Sequence, residues 1–266
     1  MTAGFVREAR APDAAGLARV QVASWRASFA GLLPDAVLAE LTSTEAEQRW
    51  AERWLEAITK PPTSRHRVHV AVTQPSSLPG IEPRSLPGSA TEAAGAAAGA
   101  AGSAGSAAEL AGFAAAGPAT DADLWPATDA ELYELHVLPE LTGQGHGGRL
   151  LHAVADMLAE DGFRTAYSWA LSADGSRLDF LESAGWAPDG SHGNLDMGVK
   201  VPVVRLHTLL APGGQPPGDP PHGGLRAPDN PRRGGVLAGA LHSGVPGGIR
   251  RDPRAVPDAA AGGTSL

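Results

Sequence analysis

The chain has no cysteine, so it forms no disulfide, offers no thiolate nucleophile and holds no Cys-based zinc. A metal would have to rely on histidine and carboxylates, and no spacing of these residues suggests a site. The chain also has no run of about 18 residues apolar enough to span a bilayer. Its opening stretch, MTAGFVREARAPDAAGLARV, lacks the apolar core and small-residue cleavage site of a secretory signal. A soluble, cytoplasmic protein without a membrane partner is expected. Basic charge is scarce as well: the formal net charge is −8. Attraction to a polyphosphate needs a basic footprint, so nucleic acid is not an expected partner and any anionic ligand must be held locally.

What is present is enough apolar material for a real core, 42% of 266 residues. At about 150 residues per domain that length allows one or two domains. Glycine (34) and proline (23) are unevenly spread, 23 of them falling in residues 211–266. That tail, with arginines at 232, 233, 250 and 251, reads as disordered and solvated. A second biased stretch runs from 74 to 109, where 27 of 36 residues are Ala, Gly, Ser or Pro. Such a mix cannot bury enough apolar area to offset its ordering entropy, so a flexible insertion is expected. One domain over 1–210, interrupted at 74–109, remains.

Within it, Phe5–Arg10 reads as a strand, and Asp13 as the cap of a helix whose apolar face is Ala14, Leu17, Ala18, Val22, Trp25 and Phe29. Pro34 opens a second helix. Thr44 with Glu47 makes a capping box ahead of Trp50, Trp54 and Ile58. Strands are expected at Arg67–Val72, Leu110–Ala115, Glu131–Leu138 and Phe163–Leu171, with a last one at Leu195–Leu206 whose Pro202 favours an edge or a bulge. Helices follow Gly148, ending at Gly162, and Asp174, ending at Gly185. The order is that of an α/β domain.

The sharpest feature is Gly143-Gln144-Gly145-His146-Gly147-Gly148 between a strand and a helix. Glycines there permit positive φ and close backbone approach, and amides at a helix N-terminus point at an anion, so the loop reads as a pyrophosphate cradle. Packing alone also produces such turns. A P-loop fails, because Arg149-Leu150 follow where lysine and a hydroxyl are needed. A dinucleotide fingerprint matches formally, as in a nicotinamide-dependent oxidoreductase, but no acidic residue closes the Phe163–Leu171 strand.

The stretch from Ala130 to Trp186 resembles the GNAT N-acetyltransferase superfamily. Its acetyl-CoA signature appears as Leu135-His136-Val137-Leu138-Pro139-Glu140-Leu141-Thr142-Gly143-Gln144-Gly145-His146-Gly147, and its later motif as Phe180-Leu181-Glu182-Ser183-Ala184-Gly185-Trp186. The segment VASWRASFAGLLP resembles bacterial members too. The resemblance implies a mixed, twisted sheet with helices on both faces, and transfer of acetyl from acetyl-CoA, as co-substrate and without metal, to a small-molecule or protein amine. It is silent on oligomeric state, leaving a homodimer open. Three positions depart from the pattern: Thr142 stands for Gln or Arg, His146 for an aliphatic residue, and Leu181 for a tyrosine that many members use to protonate the CoA thiolate. The last departure motivates an alternative, a non-catalytic acyl-CoA-binding module.

Residue by residue, the resemblance implies cofactor contacts from the backbone of Leu135, His136 and Val137, from Gly143, Gln144, Gly145, His146, Gly147 and Gly148, and from Asp174. Helix capping is the plainer role for Asp174. Glu131 occupies the position of a general base. Strict alternation would put Glu131, Tyr133, Leu135 and Val137 on one strand face and Glu134 with His136 on the other, so only one glutamate would face the site. Glu134, a water chain, or plain solvated strand residues remain open. Trp25 is a candidate for the acceptor pocket or for the core, Phe29 for the core, and His69 for a lone strand histidine rather than a ligand.

Overall fold

The computed structural model describes residues 4–73, 109–196 and 199–210. The expected insertion at 74–109 lies outside these residues except for Glu109, which is the first residue of a strand and corrects its end, and the tail at 211–266 lies outside them too. The elements are β1 (Gly4–Glu8), α1 (Ala14–Ser28), α2 (Asp35–Leu41), α3 (Thr44–Thr59), β2 (Arg67–Thr73), β3 (Glu109–Pro118), β4 (Asp129–Val137), α4 (His146–Glu160), β5 (Thr165–Leu171), α5 (Gly175–Ser183), β6 (Ala187–Asp196) and β7 (Lys200–Leu209). One seven-stranded sheet has the order β1-β2-β3-β4-β5-β7-β6. Every neighbouring pair is antiparallel except β4 with β5.

Two cores sandwich the sheet. On one face the apolar stripes of α1 and α3 meet Val70, Phe113 and Val203, with Trp25 edge-on to Trp50 at 5.0 Å and Trp54 edge-on to Phe113 at 4.8 Å. The buried Trp54 indole N–H donates to Gln21 Oε1 at 2.8 Å, so both polar groups are matched inside this layer. On the other face Leu150, Val154, Leu158 and Leu181 cover Ala114, Leu132 and Leu206. The small alanines of β3 let α4 approach the sheet closely.

Several local expectations are corrected. Asp13 precedes α1, but its carboxylate accepts from Arg10 N at 2.7 Å and pairs with Arg7, so it closes the short 3-10 turn before the helix. The cap of α3 is Ser43, accepting from Ala46 N at 3.1 Å, one residue before the Thr44 that the capping box picked out. The C-terminal part holds two strands, where the sequence read one. Pro202 lies on interior β7; it is tolerated because pairing with β5 begins at Val203, one residue further on.

Candidate active site

A bulge in β4 shapes the site. Ala115 pairs with Glu134 and Ala116 with Leu132, which leaves Tyr133 as an extra residue. An extra residue shifts the alternation of everything after it. Ala130, Leu132 and Leu135 accordingly all pack in the α4-side core, and Glu131, Glu134 and His136 turn to the α1 side. This corrects the alternation read from sequence, which opposed the two glutamates.

His136, 8% exposed, lies 5.2 Å from the Phe113 ring and bridges two elements. Its Nδ1 is 3.0 Å from Ser24 Oγ on α1, and its Nε2 is 2.6 Å from Glu134 Oε2. Glu131, 2% exposed, accepts from Thr120 N at 3.3 Å and Thr120 Oγ1 at 2.8 Å. The Tyr133 hydroxyl donates to Pro118 O at 2.6 Å.

The parallel pairing of β4 with β5 covers only Asp129 to Glu131, and a last link, Ser168 Oγ to Leu132 O at 3.1 Å, follows it. Beyond that point the two strands share no pairs. Leu138 N donates to Ala111 O at 2.8 Å, so alternation turns the backbone groups of Leu138 and His136 toward β3 and those of Leu135 and Val137 toward the opening. Of the three backbone positions implied by the motif, Leu135 and Val137 therefore face the cleft, while His136 contributes a side chain on the α1 face. Arg177 on α5 reaches across: its Nη1 donates to Leu135 O at 2.7 Å. Burial lowers its pKa from the ordinary value, against the opposing pull of Glu134 and Asp174. The sequence reading missed Arg177, since an arginine on a short helix reads as solvated face.

The glycine loop forms the end of this opening. Gly143 and Gly145 have φ of +73° and +81°, and a Cβ on either, or on Gly148, would meet nothing within 4 Å. The loop and first turn of α4 thus leave room beside backbone amides that the helix cannot pair, which suits a phosphate group. The Arg149 guanidinium lies alongside, 3.4 Å from Gln144 O and 3.1 Å from His146 Nδ1. Gln144 folds back to Glu140 O at 3.3 Å. His146 points inward, 1% exposed, with Nε2 unpartnered; burial and Arg149 lower its pKa. Gly147 sits against Phe180, 3.3 Å from a would-be Cβ.

Asp174 caps α5, accepting from Arg177 N at 3.0 Å. Trp25 is 8% exposed and belongs to the α1–α3 core beside Phe29. Leu181 is fully buried in the α4-side core. His69 on β2 is half-buried with Nδ1 unpartnered. Among the described residues no three histidines, aspartates or glutamates gather as a metal site, and no helix is long and apolar enough to cross a membrane.

This combination of a sheet that parts between two parallel strands and a glycine-rich helix start beside the opening defines a class. The chain matches the acetyltransferase (GNAT) family over residues 84–186. It is 26% identical over 171 residues to an uncharacterized N-acetyltransferase, YuaI, of Bacillus subtilis (strain 168), covering 64% of this chain and 73% of that one. Its fold is shared with the PaiA N-acetyltransferase of Thermoplasma acidophilum, solved in complex with coenzyme A, at a TM-score of 0.50 and 13% identity over 78% of this chain and 99% of that one. A GCN5-related N-acetyltransferase from Kribbella flavida gives a TM-score of 0.50 and 16% identity over 78% and 98% of the two chains.

Proposed function

We propose that the protein transfers an acetyl group from acetyl-CoA directly to the primary amine of a small molecule or a protein. The observation that carries this reading is the parting of β4 from β5 after Glu131, next to the open glycine loop. In it, the loop backbone from Gly143 to Gly148 binds the pyrophosphate. The pantetheine arm lies along the open edge of β4 at Leu135 and Val137, completing hydrogen bonds that the missing strand pair leaves over. Arg177 then yields Leu135 O to the arm.

Bound acetyl-CoA supplies the activated acyl carbon. Glu131, fixed by Thr120 on the α1 side of β4, takes a proton from the acceptor ammonium, directly or through water, and leaves a neutral nucleophile. Amides pre-aimed at the acyl oxygen need no reorganisation as negative charge develops there. Trp25 contributes the apolar wall of the acceptor side.

Calorimetry with acetyl-CoA, CoA and NAD, followed by thiol release across a panel of amines, tests the proposal. Binding of both CoA species with amine-dependent thiol release is expected. NAD binding without CoA binding would overturn it, and CoA binding without turnover on any amine would favour the non-catalytic module.

A further inference from the structure

Ser24, His136 and Glu134 form a continuous hydrogen-bonded chain from α1 to β4 that the transfer just described does not use. The Glu134 carboxylate lies 2.6 Å from His136 Nε2 and accepts from it in the tautomer that carries the ring proton there. In that tautomer the Nδ1 lone pair is directed at Ser24 Oγ, 3.0 Å away, and accepts a hydrogen bond from its hydroxyl. The order of nucleophile, base and orienting carboxylate is that of an acyl-transfer triad. Its apolar surroundings, with Phe113 at 5.2 Å from the imidazole, strengthen each link. Ser24 itself is only partly buried.

We infer that Ser24, His136 and Glu134 constitute a second acyl-transfer centre, giving the protein a hydrolytic activity toward activated esters and thioesters when no amine is present. Ser24 Oγ bonds to the acyl carbon while its proton passes to His136 Nδ1. The C–S bond breaks with its electron pair on sulfur, which takes that proton and leaves as the thiol. Water then adds to the acyl ester and gives one proton to Nδ1. The imidazolium returns that proton to Ser24 Oγ as the carboxylic acid departs. Acetyl-CoA as the natural donor rests on the proposed function; the triad chemistry does not.

The test therefore uses two donors on the full chain, p-nitrophenyl acetate and acetyl-CoA, without amine. A burst of about one equivalent of nitrophenolate per chain is expected, with one acetyl group located by mass spectrometry on the peptide containing Ser24. Ser24→Ala should abolish the adduct, and Glu134→Gln should slow its formation by about 10²-fold or more with the chain still folded. Turnover of the ester at Ser24 without acetyl-CoA binding would support the triad and count only against the donor. Equal release by wild type and Ser24→Ala, with no adduct, would overturn the inference and leave the chain as a tie between α1 and β4.

Discussion

Glu131 and Glu134 lie on the same face of β4, three positions apart, because Tyr133 is the extra residue of a bulge between them. The two carboxylates sit in separate environments on that face, Glu131 held by Thr120 and Glu134 by His136. Glu131→Gln is expected to lower amine acetylation by about 10²-fold at neutral pH with acetyl-CoA affinity unchanged. Raising the pH toward the amine's own pKa should restore part of the rate, because solvent then removes the proton. An unaltered rate and pH profile, measured by steady-state thiol release, would remove Glu131 from the role.

The glycine loop separates binding from stability. Gly145→Val should destabilise the fold by about 1–2 kcal/mol, since a branched residue is strained at φ +81°. Gly148→Ala meets open space within 4 Å, so its melting temperature should hold or rise. Calorimetry should nevertheless find acetyl-CoA binding about tenfold weaker, or more, because the added methyl stands where the phosphate comes close. Normal affinity in Gly148→Ala would place the phosphate elsewhere.

Leu181→Tyr should not create a thiolate acid. The side chain is fully buried beneath α4 with Leu150 and Leu158 in the same core, so a phenol there is overpacked by about 1–3 kcal/mol. A lowered melting temperature with no gain in turnover is the expected pair of results. A faster enzyme of unchanged stability would mean that the ring reaches the cleft.

Arg205 ties the segment after β3 to the last hairpin: its guanidinium meets Asp121 at 3.0 Å, Asp123 at 2.6 Å and Asp189 at 2.6 Å, and is itself 6% exposed. These carboxylates raise its pKa further, against the cost of burial. Arg205→Met leaves Asp121 and Asp189, both largely buried, without their cation and should cost about 3 kcal/mol or more in urea unfolding. The exposed Asp123 adds little, being screened by water.

Stability should fall as the pH drops below about 6.5, the ordinary histidine value. Burial is the main reason that His66, His69 and His146 are held below that value in the fold. The unfolded chain therefore takes up protons at a pH where the folded chain resists them. Stability is complete above the unfolded pKa and is lost as the pH descends toward the folded ones. Thermal melts from pH 7.5 to 5 should show this slope, and His146→Gln should flatten part of it. A slope unchanged in that variant would exclude His146 as a source.

By itself the sequence determined most of the elements and the loop, though it read the final hairpin as one strand. The helical stripe ending at Trp25 and Phe29, the Trp50 and Trp54 spacing, and the glycines between a strand and a helix are local signals, set by 3.6-residue periodicity and by backbone freedom, and they needed no distant partner. The motif around Pro139 to Gly147 also carried the resemblance to the GNAT superfamily. What the tertiary structure decided is whatever depends on a neighbouring strand. Alternation cannot reveal a bulge, because the extra residue is defined only against β3, and that one residue moves Glu134 and His136 to the side of Glu131. Arg177 and Leu181 share the face of one short helix, yet only packing shows the first reaching β4 and the second filling the core. Ser24 and His136 are 112 positions apart, and nothing short of the folded sheet with α1 laid across it brings a hydroxyl to an imidazole.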